Sequence, residues 1–511
     1  MAQYVLEFAL FIVLLLAVTL FMPSLTNYLS LRRLPLNGAQ HGSYPNRLMA
    51  FTSNAEQLYR EGYAKFKHTV YRVTTVEGSR VVIPTKYLEE LRHLPDSTIN
   101  NIKSLFQIFE GKYTGLNENA PLINHVVRTD LTRALARLSP RLCEEVDRCI
   151  KAELPPCDDW TPVVISPIIL RIVAILSGNL FLGPELCRSD EYLHMSINYT
   201  VDLFAAVAAL KRYPKILRPL AQYFTPELSS IQDHKRRANA FLLPVIRRRR
   251  AMTREGMAMP DDMLQWMINK ADSFNVKDDA ELAYCQLSLS LAAIHTTSIT
   301  ATHIIYDLAA HPAILHDLRH EIHSVLQATN GAMSSQALFQ MKLLDSVMRE
   351  SQRLNPTNMA RFTRYVAKPV TLQDGTGLPA GYFIESPHMA ICRDPLIYPE
   401  PDTFNPHRFL HLRQLSHTHT TPPTAAAAAE HKHQFVSATP DNLSFGYGRH
   451  ACPGRFFASH ELKLILAHLI LAYDIRLPAD ANGVRYRNVV RSAVVVPDVG
   501  KAVLLRRVVY E

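Results

Sequence analysis

The sequence predicts a mainly α-helical protein: one large domain with a small β region, behind an N-terminal membrane-spanning helix. Three observations point there. The run "FALFIVLLLAVTLFM" (Phe8 to Met22) carries no charge. From about residue 86 onward, apolar residues recur at helical spacing for a long distance with few glycines. No shift in composition after residue 45 separates a second domain.

The first element is the anchor, residues 1–25. Its apolar run ends at Pro23 and just suffices to cross a bilayer as a helix. Arg32 and Arg33 follow it, while only Glu7 precedes, so the positive-inside rule puts the rest of the chain in the cytosol. No basic n-region and no A-x-A-like site mark it for cleavage. Residues 26–45, with Pro35, read as a stiff linker, and residues 46–511 as the domain. Tyr71 to Pro84 reads as strands around Glu77-Gly78. Ala280 to Pro312 reads as one long helix, and Ala337 to Pro356 as another, stopped by Asn355-Pro356. Strand and turn sequence follows at Leu372 to Ile384, then a proline-rich irregular stretch at Asp394 to Phe409. Ser416 to His433 is low-complexity, and its four histidines read as part of a mobile surface insertion rather than a metal site.

Of the 511 residues, 48% are hydrophobic and 20% charged, which is globular composition with ample core material. The net charge of +9 is spread along the chain apart from Arg247 to Arg250. No aromatic-interleaved basic stripe appears, so nucleic acid is not an expected partner. A basic balance suits an anionic membrane surface or an acidic protein. The seven cysteines are far apart, odd in number and form no CxxC. That excludes a disulfide framework and a zinc module, and points to a reducing compartment.

One cysteine stands out. "FGYGRHACPG" (Phe445 to Gly454) packs three glycines, two aromatics, an arginine and a histidine around Cys452. The sequence after it has helical apolar spacing, with Pro453 as the expected first helical residue. Free amide donors and the positive helix end then favour thiolate. Gly446 and Gly448 let the backbone lie close to a flat ligand. Phe445 shields the sulfur, and Arg449 and His450 offer donors to acidic groups. A shielded thiolate with basic neighbours and no second thiol suits a haem iron.

These residues resemble the signature of the cytochrome P-450 family, F-x-x-G-x-[R/H]-x-C-x-G. Phe445, Gly448, His450, Cys452 and Gly454 fill its fixed positions. The resemblance implies haem b, with Cys452 as the axial iron ligand and His450 where the family has an arginine that meets a haem propionate. "ESQR" looks like the family's E-x-x-R: Glu350 and Arg353 share a helix face. Arg408 in "FNPHRF" would complete a structural triad with them. In "AAIHTTS", Ala293, His295 and Thr296 match the helix over the haem. Ala293 would leave room for dioxygen, and Thr296 would assist proton delivery from a widened turn. His295, in place of the usual acid, would relay protons. Arg364 resembles the propionate-binding basic residue, with Arg361 its near rival. Arg128 matches the arginine of a W-x-x-x-R pair, with Asn124 where tryptophan would stand.

The resemblance implies one large, mostly helical domain from about residue 45 to the end. It implies a monooxygenase on the endoplasmic reticulum membrane, single-pass and facing the cytosol. Electrons would come from NADPH through a separate flavoprotein reductase, with a cytochrome b-type donor as a second source. The substrate would be an apolar small molecule, and "KHQFVSATPD" (Lys432 to Asp441) looks like fungal members that act on terpenoid or indole-terpenoid skeletons. Its pocket is expected along Ile102 to Leu122, Val201 to Leu217, the face around Leu289 and Ala293, and Met359 to Phe362. Two other readings stay open: a haem-thiolate isomerase or dehydratase without external electrons, and a haem-binding sensor.

Overall fold

The structure, a computed structural model, describes Tyr4, Met22 and residues 24–116, 121–415 and 430–509. Most of the expected anchor and of the low-complexity insertion, including His417 and His419, lies outside the described residues.

The chain is helical at 24–33 and then enters the domain. Leu31 and Leu34 are buried in a cluster with Val70, Val81 and Ile83. The Arg72 amide donates to the Pro35 carbonyl at 2.8 Å, and Asn37 Nδ2 donates to the Leu58 carbonyl at 2.7 Å. Residues 26–45 are therefore not a free linker. Their apolar side chains have a sheet to bury against, which Pro35 by itself does not reveal.

Helix α1 (Tyr44–Lys65) starts on Ser43, whose side chain accepts from the Asn46 amide. Strands β1 (Tyr71–Thr75) and β2 (Gly78–Val82) form the expected hairpin around Glu77-Gly78. With β3 (Ile99–Asn100) and two later strands they make a five-stranded sheet. Helix α2 (Thr132–Glu153) follows a five-residue π-helical turn, Val127–Leu131. Strand β4 (Thr161–Val164) leads into the apolar helix α3 (Ile165–Phe181), then α4 (Asp190–Lys211) and α5 (Glu227–Arg254).

The centre is α6 (Asp279–Ala310), 32 residues long and close to the expected span. Asp278 caps it, and α3, α4 and α5 pack around it. Helix α7 (Ile314–Ala328) comes next. The single helix expected at 337–356 is two, Ser335–Gln340 and α8 (Lys342–Leu354), broken at Met341. Glu321 of α7 fixes the break: its carboxylate accepts from the Leu343 and Leu344 amides at 2.6 and 3.0 Å. A helix N-terminus with its own acidic cap is stable where a continuous helix would leave Glu321 unpaired.

Strands β5 (Arg361–Val366) and β6 (Phe383–Ser386) complete the large sheet, whose order is β1-β2-β6-β5-β3. A register shift breaks β5 between Arg361 and Arg364, with Phe362 at φ 56°. Helix α9 (Arg455–Ala472) carries the Cys452 loop at its start, and with β7 (Tyr473–Arg476) and β8 (Ala502–Arg507) a three-stranded sheet forms in which β8 pairs with both β4 and β7. The far end of the insertion packs back: Lys342 Nζ lies 2.9 Å from Glu430, and Phe435 is fully buried. The architecture is a mainly helical body around α6 with small sheets at its edge.

Among the described residues, α4 alone is long and apolar enough to cross a membrane. More than half of it is buried inside the protein, as in a core helix. In α6, likewise, the polar side chains of Thr302, His303 and Asp307 are buried.

Candidate active site

The Cys452 loop is built by glycines that only glycine can replace. Gly446 and Gly448 have φ of 74° and 71°, in the left-handed region. A Cβ on Gly448 would come within 2.7 Å of Arg92 Cβ. The Cys452 amide donates to the Phe445 carbonyl at 2.7 Å, closing the loop. Phe445 meets Phe435 edge-on at 5.3 Å and so takes part in the core. Helix α9 begins at Arg455, so Pro453 lies in the turn before it rather than in its first helical position.

Cys452 keeps exposed surface, yet it sits in a recess walled by protein. Burial pushes its thiol pKa up. The Gly454 and Arg455 amides and the charges of Arg455 and Arg361 pull the other way without overcoming burial. The expected depression of this pKa is therefore reversed in net effect, although the donors are where the motif puts them. A thiolate here calls for a cationic partner, and metal coordination supplies one by deprotonating the thiol outright.

Two arginines and a histidine tie the loop to its surroundings. Arg128, on the π-helical turn, donates Nη2 to the Arg449 carbonyl at 2.7 Å. Such turns are frequent at functional sites. Arg449 Nη2 lies 2.9 Å from Asp96 Oδ1, and His450 Nε2 lies 2.8 Å from the same oxygen. Arg364 and His450 border one small recess.

The two candidate arginines of β5 differ. Arg364 Nη1 donates to Asn101 Oδ1 at 2.7 Å and to the Thr363 carbonyl at 2.9 Å, and its guanidinium stacks over Phe362. Burial lowers its pKa to about 10. Arg361 donates Nη2 to Thr357 Oγ1 at 2.5 Å, but its buried Nε has no partner. Burial lowers its pKa too, and the charge of Cys452 opposes that. An orphaned, buried cationic donor beside Cys452 fits an acidic group of a ligand better than Arg364 does. This donor sits on Arg361, the near rival of Arg364 in the sequence reading. Strand alternation explains it: Arg364 shares the buried face with Phe362, and Arg361 lies on the other.

The triad comes together. Arg353 Nε and Nη2 donate to the two Glu350 oxygens, each at 2.8 Å. Arg408 Nε donates to Glu350 Oε1 at 3.0 Å, as does the Asn405 amide. Arg353 also donates to the Cys392 and Pro401 carbonyls, and Arg408 to those of Pro399 and Glu400. All three side chains are buried. This clamp holds the irregular stretch 399–405 against α8.

On α6, Ala292 and Thr296 are exposed while Ile294, Thr297 and Ser298 are buried. Residues four apart share a face, so one face of this core helix is open and Ala293, half-buried, flanks it. Thr296 Oγ1 donates to the Ala292 carbonyl at 2.8 Å. The helix runs through this turn in α conformation, without the expected widening. A hydroxyl bond to the i−4 carbonyl satisfies the threonine inside an ordinary turn. His295 is half-buried, and its Nε2 lies 2.9 Å from the Ile197 carbonyl of α4. It therefore reaches to α4 and not to Thr296.

Of the expected pocket residues, Leu289, Met359 and Phe362 are buried core. Met359 donates its amide to the Ala493 carbonyl, and Phe362 joins the cluster under the large sheet. Phe109 and Phe204 do meet, with ring centroids 5.6 Å apart, joining two of the expected segments.

An exposed thiol at a glycine-built loop, an orphaned arginine donor beside it and an open small-residue face on the central helix all suit an iron porphyrin. The known proteins agree. The Cytochrome P450 family model matches residues 108–499. The cytochrome P450 monooxygenase braC of Annulohypoxylon truncatum is 36% identical over 477 residues, covering 93% of this chain and 92% of its own. The cytochrome P450 monooxygenase paxP of Penicillium paxilli is 35% identical over 463 residues, 89% of this chain and 86% of its own. Among solved structures, the retinoic acid-bound cyanobacterial CYP120A1 shares the fold, with a TM-score of 0.66 at 18% identity over 93% of this chain and 99% of that one. With the family model spanning most of the domain and fungal relatives aligned along nearly their whole length, this chain belongs to the cytochrome P450 family and is a haem-thiolate monooxygenase.

Proposed function

We propose that this enzyme hydroxylates, or oxidises further, an apolar small molecule of fungal secondary metabolism, most closely a terpenoid or indole-terpenoid intermediate. The observation that carries the reading is the Cys452 loop, with its thiol exposed at the mouth of a glycine-built turn. Haem held by a thiolate supplies reductive activation of dioxygen and insertion of one oxygen atom into a carbon–hydrogen bond. The chain's own part is binding, orientation and proton handling.

In this reading Cys452 binds the iron and Phe445 screens its sulfur. Arg361, with Arg128, Arg364 and His450 nearby, holds the acidic edge of the porphyrin. The Glu350–Arg353–Arg408 clamp keeps the scaffold behind the loop rigid. Thr296 Oγ1 releases the Ala292 carbonyl and passes a proton across the open face of α6. Ala293 keeps that face narrow enough in side-chain bulk for a small reactant. Electrons come from NADPH through a partner flavoprotein reductase, with a cytochrome b-type protein as a second donor. Residues 1–25 anchor the chain in the endoplasmic reticulum membrane with the domain in the cytosol, consistent with the domain beginning immediately after them.

Replacing Cys452 by Ser tests the core of the proposal. The reduced, carbon monoxide-treated protein should lose the thiolate Soret band. Persistence of that band overturns the ligand assignment. Turnover that proceeds without NADPH and reductase would convert the reading to an isomerase or dehydratase.

A further inference from the structure

His295 stands where the resemblance leads one to expect an acid, and the structure gives it a different task. Polar contacts between helices α4 and α6 include the following two. Ser290 Oγ donates to Ser196 Oγ at 3.3 Å, and His295 Nε2 lies 2.9 Å from the Ile197 carbonyl. A carbonyl oxygen only accepts, so Nε2 carries the proton and Nδ1 of the neutral ring is bare. Ile197 lies inside α4, where its carbonyl already accepts along the helix. The His295 bond uses the second lone pair.

Burial lowers the His295 pKa below the ordinary imidazole value, and the Ile197 carbonyl opposes it. The titratable groups of α4 on neighbouring turns are engaged elsewhere. Asp202 lies 2.7 Å from His234 Nε2 of α5, and His194 stacks on the same ring at 6.2 Å. Among the described residues, no carboxylate acts on His295 to draw a second proton onto it.

Adjacent residues on an α-helix point about 100° apart. With the His295 ring fixed toward α4, the Thr296 hydroxyl is set on the open flank beside Ala292. Thr296 and Thr300 continue the pattern, each hydroxyl donating to the carbonyl four residues back at 2.8 Å.

We propose that His295 is a positioning residue: its Nε2–H ties α6 to the Ile197 carbonyl of α4 and fixes the turn that presents Thr296, while the ring itself passes no proton. The mechanistic half of this rests on the role proposed above for Thr296.

The test uses the holoenzyme with its reductase and three variants, each first checked for the carbon monoxide spectrum. One readout is peroxide released per NADPH oxidised, between pH 6 and 8. The other is affinity for an apolar azole, titrated by absorbance. In His295→Gln an amide N–H takes the place of Nε2–H without an ionisable group, and both readouts should stay within about twofold of wild type with the same pH profile. His295→Ala removes the tie and should weaken azole binding and raise peroxide release by about fivefold, the scale of one net hydrogen bond. His295→Asp, which restores an acid but faces a carbonyl, should be no better than Ala. Loss of coupling in the Gln variant, no loss in the Ala variant, or an Asp variant that matches wild type each overturns the proposal. Should Thr296→Ala leave peroxide release unchanged, the Thr296 reading fails, while the azole series still decides the helix tie.

Discussion

Around Glu350, one buried carboxylate takes hydrogen bonds from two buried guanidiniums and a backbone amide. Along the 292–297 turn of α6, neutral contacts to main-chain carbonyls hold Thr296 and His295, and one face is open. The first region is over-determined and the second is only just determined. The difference teaches where each kind of bond belongs. Buried charge demands full pairing, so it makes a rigid frame. Groups that must exchange protons or admit a ligand need bonds weak enough to be traded.

A second carboxylate sharpens the contrast. Glu461 on α9 is as buried as Glu350, yet it accepts a hydrogen bond from Ser177 Oγ of α3 at 3.0 Å, and its Oε2 has no partner among the described residues. Burial raises its pKa to about 8. A buried carboxyl without a cation answers by staying protonated.

The largest expected effect is at the frame. Glu350→Ala leaves Arg353 and Arg408 buried and uncompensated, at a cost of about 3–5 kcal/mol. The measurement is the yield of carbon monoxide-binding holoprotein, which should collapse. A holoprotein yield near wild type would mean the clamp is not what holds stretch 399–405.

Glu461 gives the next effect, through pH. Its folded pKa, about 8, stands above the ordinary 4.5, so over that window the unfolded state releases a proton that the folded state keeps. Stability therefore falls as pH rises from 4.5 to 8, by at most about 1.4 kcal/mol per unit. Glu461→Gln should flatten that slope and raise the melting temperature at pH 8 more than at pH 5. Parallel melting curves across pH for variant and wild type would refute it.

Arg361→Leu should lose haem to an apo-globin acceptor at least tenfold faster than wild type, since a charge-assisted bond is worth roughly 1.5–3 kcal/mol. Arg364→Leu should change the rate less, because Asn101 and Thr363 already satisfy it. Equal rates would put the two arginines on one footing.

The smallest effect on stability is expected at Thr296. Removing a hydroxyl bonded to its own helix should move stability by no more than about 0.5 kcal/mol. Its effect on chemistry should be large: NADPH consumed with peroxide released in place of product. Unchanged coupling removes Thr296 from the mechanism.

Several site features were legible in the residues. Glu350 and Arg353 announce themselves by spacing, because helix periodicity turns i, i+3 into contact. Gly446 and Gly448 announce a backbone that only glycine tolerates, and both have positive φ. The choice between Arg361 and Arg364 was not legible. It turns on which face of β5 each occupies, and a bulge at Phe362 intervenes. The role of His295 was not legible either, since its partner is a main-chain carbonyl 98 residues away. Sequence names side chains, and a carbonyl partner has none to name.

What the sequence determined by itself was local and chemical: a thiol in a glycine-rich turn, helices with their periodicity, a charge pair on one face. These follow from covalent geometry and from neighbours within a few residues. The tertiary structure alone decided that Arg361 keeps an unpaired Nε, which way His295 faces, where Glu321 breaks a helix, and that residues 31–37 pack with the domain. Each of those depends on burial and on groups brought together from far along the chain, and both exist only once the core has closed.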